Sequence, residues 1–278
     1  MRMQLCYGRK AKNIKRSIAL TDLHEKGLNQ MNTTIETILN HRSIRKFQDR
    51  PLTDEQISLL VKAAQAASTS SNIQAYSIIG VKNPETKQKL AELAGNQSYV
   101  AHNGHFFVFC ADLYRHEKAG EMEKQEVTES IESTEKFMVA IIDAALAAQN
   151  TAIAAESMGL GICYIGGLRN NLPEVSSVLK TPERVIPLFG MTIGYPDQNP
   201  DVKPRLPFNH VYFEDHYDTG EQYEEQLKEY NETVSAYYNE RTDGRRSDTW
   251  TGQMAQMLAH PQRMYMKEFV QKKGFNNK

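Results

Sequence analysis

The sequence predicts an α+β or α/β domain of three layers, and three observations carry that expectation. Helical periodicity fills more of the chain than strand-like runs do. Four or so apolar strand-like runs are scattered among the helices. The regular strand–helix alternation of a dinucleotide fold is missing. With 278 residues, 40% of them hydrophobic, the chain can bury one large core.

"TTIETILN" opens the readable pattern as an amphipathic helix, with Ile35, Ile38 and Leu39 on one face and an end near Asn40. "HRSIRKF" follows as a basic turn. "LTDEQISLLVKAAQAAS" begins with a capping box, Thr53 and Gln56, and spaces Ile57, Leu60, Val61 and Ala64 helically. It stops in the polar breaker "STSSN". "AYSIIGVK" reads as a strand. "NPETKQKLAELAG" then has Asn83 as N-cap, Pro84 at the first helical position and Gly95 past the end. "HFFVFCAD" is a strand whose unbroken apolar run predicts burial on both faces.

A charged loop is expected over about 112–130. "FMVAIIDAALAAQNTAIAAESMGLG" is apolar nearly all round, but Asp143, Gln149, Asn150 and Glu156 interrupt it. A carboxylate near the middle of a bilayer costs about 2.5–3.5 kcal/mol on insertion scales. The segment is therefore expected to be a soluble helix buried on most sides, central or at a subunit interface. "GICYIGG" is a strand ending in two glycines, "NNLPEVSSVLK" a short helix and "IPLFGMTIGYP" a strand. "DQNPDVKPRLP", with three prolines, is a stiff extended loop. "GEQYEEQLKEYNETVSAYYNER" is a polar helix with an aromatic stripe suited to packing, and a last helix is expected over about 253–272.

Charge and cysteine content narrow the function. The formal net charge of −1 gives no general argument for nucleic acid. Residues 1–30 carry seven Lys/Arg against two Asp/Glu, yet they lack the apolar core of a secretory signal. They are expected to be a basic extension, disordered or non-native, with Met31 offering a fresh start before a domain over 31–278. Cys6, Cys110 and Cys163 form no CxxC pair, which suits a reducing cytoplasm.

Several chemistries fail on spacing. "GLGICY" has Tyr164 where a dinucleotide loop needs its last glycine, and "GICYIGGL" has Gly167 where a phosphate loop needs lysine. No HExxH occurs, and His102 and His105 in "HNGH" have no cysteine or carboxylate beside them, so no metal is expected. What survives is a scattered set. Arg42 and Arg45, if the helix continues, share a face, and with Ser43 they suit a phosphate monoester; a solvated basic turn is the plain alternative. "STSSN" adds hydroxyls. Gly166 and Gly167 let a flat ligand approach the main chain, or simply make a tight turn. Lys203 and Arg205, alternate residues of an extended loop, put two cations where a ring gains negative charge on reduction. A phosphate clamp, a backbone platform and a cation pair together describe a flavin mononucleotide (FMN) site. Such a site needs no protein nucleophile, because the cofactor carries the redox chemistry.

"HRSIRKF", "STSSNIQAYSII", "AAESMGLGICYIGGLRNN", "PLFGMTIGYP" and "NPDVKPRLP", in that order from Thr33 onward, resemble the nitroreductase superfamily. The likeness is to its NADPH-dependent group, the oxygen-insensitive major nitroreductases and related flavin reductases. That resemblance implies an α+β, three-layer α/β/α domain with a mixed central sheet, and an intertwined homodimer with FMN at the subunit interface. It implies that His41, Arg42, Ser43 and Arg45 meet the FMN phosphate and ribityl chain. Thr69 and Ser70 would approach from the other subunit, and Gln97 and Tyr99 would add contacts. Tyr164, Ile165, Gly166 and Gly167 would run along the isoalloxazine, with a backbone N–H near N5. Lys203 and Arg205 would face the pyrimidine edge and phosphate. Arg241, in "NERTDGRRSDTW", is matched to the NADPH 2′-phosphate, with Arg245 and Arg246 beside it; a solvated loop is the alternative. The expected activity is NADPH-dependent reduction of free flavin, nitroaromatics, quinones or similar acceptors by ping-pong hydride transfer. Another reaction on this fold, such as reductive dehalogenation, is the runner-up, and a flavin- or nucleic-acid-binding protein is the alternative class.

Overall fold

A computed structural model describes residues 32–278, which fall into two units divided after His41. The expectation for residues 1–30 lies outside the described residues. In the first unit, helix α1 (Thr33–Leu39) starts where Asn32 Oδ1 accepts the Ile35 N–H at 3.0 Å. It ends at Asn40, whose own N–H bonds back to the Glu36 carbonyl.

The second unit begins at Arg42. Its helix α2 (Asp54–Gln65) carries the capping box in full: Gln56 N–H to Thr53 Oγ1 at 3.2 Å, and Thr53 N–H to Gln56 Oε1 at 3.0 Å. Strand β1 (Tyr76–Val81), helix α3 (Pro84–Leu93) and the one-turn α4 (Ser98–Ala101) lead to β2 (His105–Asp112). Gly95 takes φ +93° just after α3, the left-handed turn that "LAG" promises.

Residues 112–130 are not a loop. They fold as α5 (Tyr114–Glu123) and α6 (Thr128–Ile131). Helix α5 buries only Gly120, so no apolar period marks it; its Glu, Lys and Ala content forms the helix by propensity. Helix α7 (Thr134–Ser157), β3 (Gly161–Ile165), α8 (Leu172–Val178) and β4 (Val185–Gly194) complete the core, and α9 (Tyr223–Arg241) follows the long extended loop. The single last helix is in fact two, α10 (Trp250–Leu258) and α11 (Met266–Lys272). Pro261 lies in the gap, where its missing N–H and ring stop a helix.

The strands form one sheet in the order β1-β2-β4-β3, every ladder antiparallel. The expected mixed sheet is thus corrected: among the described residues, parallel pairing is confined to one bridge, Ser43 to Ile162, at the β3 edge. Three layers are present. Phe106, Val108 and Cys110 point to one face, against Leu90, Ala91 and Val100. Phe107 and Phe109 point to the other, against Leu60 and the α7 alanines 148, 152 and 155. All eight residues of β2 are buried, as its unbroken apolar run predicts.

Helix α7 differs from expectation on one side. Its inner face is buried, but Met138, Ile142 and Leu146, spaced four apart, remain exposed on the single chain. Its length and composition alone would also pass for a membrane span.

Candidate functional site

The basic segment is not a helical face. After Asn40 ends α1, the chain from Arg42 runs extended along the edge strand: Ile44 N–H donates to the Ile162 carbonyl at 2.8 Å, and Ser43 pairs with Ile162. Ile44 is 4% exposed and occupies the space a side chain at Gly161 would need. In an extended segment, residues three apart leave on opposite sides. Arg42 and Arg45 therefore do not share a face; Ser43 and Arg45 do. His41 closes the first unit, its N–H on the Ile38 carbonyl at 3.2 Å.

Ser43 and Arg45 meet the end of β3 and the α3–α4 connection. Arg45 lies beside the Tyr99 hydroxyl, which donates to Gln97 Oε1 at 2.9 Å. Burial raises the Tyr99 pKa, while the hydrogen bond to Arg45 pulls it down. Arg45 and Ser43 also border Cys163; burial pushes that thiol up, and both neighbours oppose the push. Gln97 reaches Gly167: a Cβ there would stand 3.1 Å from Gln97 Nε2 and collide with the Ala94 carbonyl. Gly167 is thus required by protein packing on that side, not only by access for a ligand. Ser43, Arg45, Gln97, Tyr99 and Gly167 form one contiguous cluster.

Tyr164 and Gly166 flank it. Tyr164 is 37% exposed, packs edge-on against Phe189 and donates to Gln149 Oε1 at 3.2 Å. Ile165 is buried beneath. A Cβ at Gly166 would lie 3.0 Å from Arg169 Nη2. Arg169 and Arg263 are residues that the sequence reading missed. Arg169 donates to the Leu188 carbonyl at 2.8 Å, and Arg263 binds Asn170 Oδ1 through Nε and Nη2 at 3.0 and 2.8 Å. Burial lowers the Arg169 pKa, and the Arg263 charge adds to the effect. Neither arginine sits in a spaced motif; for Arg169 the one signal was "LRNN" directly after the double glycine.

The remaining candidates rest on two further supports. Thr69 and Ser70 begin a 3₁₀ turn that packs on α7. Lys203 and Arg205 are fastened to α9: Lys203 Nζ stands over the Tyr238 ring at 5.4 Å, Arg205 Nη1 bonds the Lys203 carbonyl at 2.8 Å, and the Tyr230 hydroxyl donates to the Pro204 carbonyl at 3.2 Å. The Lys203 hydrogen bond lowers the Tyr238 pKa.

The arginine loop is tied to the same helix. Arg241, still in the last turn of α9, donates to the Tyr237 hydroxyl at 2.8 Å. Arg246 pairs with Asp248 at 2.7 Å and lies over Tyr238 at 4.4 Å. Arg245 Nε bonds the Thr242 carbonyl at 2.9 Å.

The nitroreductase family matches residues 38–195, and the family's C-terminal domain matches residues 203–278. The chain belongs to the nitroreductase family. The two matched regions divide the candidate residues: the first holds the Arg45 cluster and the Thr69–Ser70 turn, the second the Lys203–Arg205 pair and the arginine loop. The chain is 57% identical over 247 residues to an FMN reductase (NADPH) of Bacillus subtilis (strain 168), covering 88% of this chain and 99% of that one. It is 46% identical over 241 residues to a Cr(VI) reductase of Pseudomonas sp. (strain G-1), covering 87% and 98%. Among solved structures, B. megaterium NfrA1 matches with a TM-score of 0.88 and 68% identity over 88% of this chain and all of that one.

Proposed function

We propose that this nitroreductase-family protein is an FMN-dependent oxidoreductase. In this reading it uses NADPH to reduce free flavin, nitroaromatics, quinones or similar acceptors by ping-pong hydride transfer. One observation carries the reading: Ser43, Arg45, Gln97 and Tyr99 converge beside Gly167 at the end of β3. A guanidinium, two hydroxyls and an amide there are the donors and acceptors that a phosphorylated polyol beside a flat ring requires. The relative of 57% identity is an NADPH-dependent FMN reductase by name, which supports the same pair of ligands.

FMN, when bound, supplies the hydride chemistry, so no protein nucleophile is assigned. Arg42, Ser43 and Arg45 hold the phosphate and ribityl chain. Gln97 and Tyr99 orient Arg45 and border the ring, and Thr69 and Ser70 add hydroxyls from the other subunit. Tyr164, Ile165, Gly166 and Gly167 line the isoalloxazine edge with main-chain donors. Lys203 and Arg205 offset the negative charge that reduction brings. Arg241, Arg245 and Arg246 take the 2′-phosphate of NADPH.

The homodimer belongs to this reading. Met138, Ile142 and Leu146 make an apolar stripe along a helix that also carries the buried Asp143, a stripe suited to a second copy of the chain. A cytoplasmic enzyme without nucleic acid fits the sparse cysteines and a net charge of −1.

The test is direct. Purified protein should be yellow, and NADPH should bleach it without oxygen. Initial rates with FMN, nitrofurazone, a quinone and chromate should give parallel double-reciprocal lines. Protein that is colourless and cannot be reconstituted with FMN ends the reading; intersecting lines remove the ping-pong part alone.

A further inference from the structure

The turn between α2 and β1 is held in an unfavourable conformation. Ser71, Asn72 and Gln74 all have positive φ, at 47°, 59° and 54°. None is glycine, and each left-handed residue with a Cβ works against the turn. Such a turn persists only if its surroundings over-determine it.

The support comes from α7. Asp143 is 0% exposed, and its two carboxylate oxygens reach the two ends of the turn. Oδ1 accepts the Ser70 N–H at 3.2 Å, and Oδ2 accepts the Ala75 N–H at 2.9 Å. Two turns further along the same helix, Asn150 Nδ2 donates to the Ala63 carbonyl at 3.2 Å, fixing the end of α2. On the far side, His116 Nε2 bonds the Ile73 carbonyl at 2.7 Å. A buried carboxylate is costly unless hydrogen-bonded, so the two backbone donors and the charge hold each other in place.

We propose that Asp143 is a positioning residue for the flavin: its buried carboxylate clamps both ends of the Thr69–Gln74 turn and so fixes where the Thr69 and Ser70 hydroxyls point. This rests on the reading of those hydroxyls as FMN contacts. Asp143 itself is fully buried. It acts through the turn, and because it sits on the helix with the exposed apolar stripe, it ties the geometry of the turn to the subunit contact.

The test substitutes Asp143→Asn, which keeps the volume but turns a donor toward one of the two N–H groups. In the holoprotein, the FMN Kd should rise about 10- to 100-fold, the range expected for losing a charge-assisted hydrogen bond behind the site. The visible circular dichroism of any retained flavin should change, while dimer mass stays the same. Adding Ser71→Gly and Asn72→Gly relieves two of the three left-handed positions and should recover part of the affinity without restoring the carboxylate. A purely structural role for Asp143 would lower the melting temperature and leave the dichroism of bound flavin unchanged, and that outcome overturns the positioning role. An unchanged FMN Kd and dichroism in Asp143→Asn overturn the proposal. Should that variant fail to fold, amide exchange on the unaltered protein decides: the Ser70 and Ala75 amides should be protected with and without FMN, and fast exchange at both overturns the clamp. If the unaltered protein binds no FMN, the flavin reading fails, while the exchange experiment still reads the clamp.

Discussion

His105 makes the fold sensitive to acid, and the size of the effect follows from its surroundings. The side chain is 3% exposed at the start of β2, its ring 4.5 Å edge-on from Phe107, and its Nε2 has no hydrogen-bond partner among the described residues. Burial lowers its pKa from 6.5 to about 4; the Lys87 and Lys82 charges add to the shift and Asp54 opposes it. Above pH 6.5 the imidazole is neutral in both folded and unfolded chains and contributes no pH dependence. Between 6.5 and about 4 the unfolded chain takes up a proton that the folded chain refuses, so stability falls as pH falls. At about 1.4 kcal/mol per pH unit, the full loss is about 3 kcal/mol, a large part of an ordinary domain's stability. His105→Leu removes the titration. Urea unfolding of both proteins from pH 7.5 to 4.5, a range that stops short of the folded pKa, should show the unaltered chain losing about 2.5 kcal/mol more stability. Parallel curves would refute the argument and mean that the imidazole finds a partner or water once charged.

The other predictions concern ligands. Arg45→Ala should weaken FMN binding by about 1.5–3 kcal/mol, read as the Kd of the apoprotein for FMN, because it removes the guanidinium that is tied to Tyr99 within the cluster; an unchanged Kd would remove Arg45 from the site. Arg245→Ala should raise the NADPH Michaelis constant about five- to thirtyfold and leave NADH kinetics unchanged, since an exposed, screened contact is worth about 1–2 kcal/mol. Arg246→Ala should cost less, as its guanidinium is already shared between Asp248 and Tyr238; equal losses for NADH and NADPH would remove the specificity role. A chain beginning at Met31 should keep its FMN content, melting temperature and dimer mass, and flavin loss on truncation would give the basic segment a function.

Local rules made much of the fold legible. Thr53 with Gln56, Asn83 with Pro84, and the unbroken run from His105 to Asp112 are each decided by neighbours in sequence, and each appears as expected. Helix α5 was not legible, because a helix that buries a single glycine has no apolar period to read. The edge pairing of Ser43 with Ile162 was not legible either: the partners are far apart in the chain, and backbone pairing leaves no mark on side-chain identity. Arg169 was hidden likewise, since its partner is the Leu188 backbone carbonyl, and Arg263 because its partner Asn170 is far away in the chain.

The candidate site explains why its motifs are weak one at a time. Its residues rest on three supports: the β3 edge, the turn between α2 and β1, and the aromatic face of α9. Each support has its own anchor, namely Ile44 in the core, Asp143 beneath the turn, and Tyr230 and Tyr238 under the Lys203–Arg205 segment. In the proposed dimer, a ligand that meets the β3 edge and α9 face of one chain and the Thr69 turn of the other gains contacts from each without any one of them needing a dense motif. Short local signals such as "STSSN" or "KPR" then look like ordinary turns, and their meaning lies in their order along the chain. The anchors carry the complementary information. A buried aspartate on an otherwise apolar helix and two tyrosines beneath a cationic loop are costly or specific placements, and each stands directly behind a segment that meets the ligand in this reading.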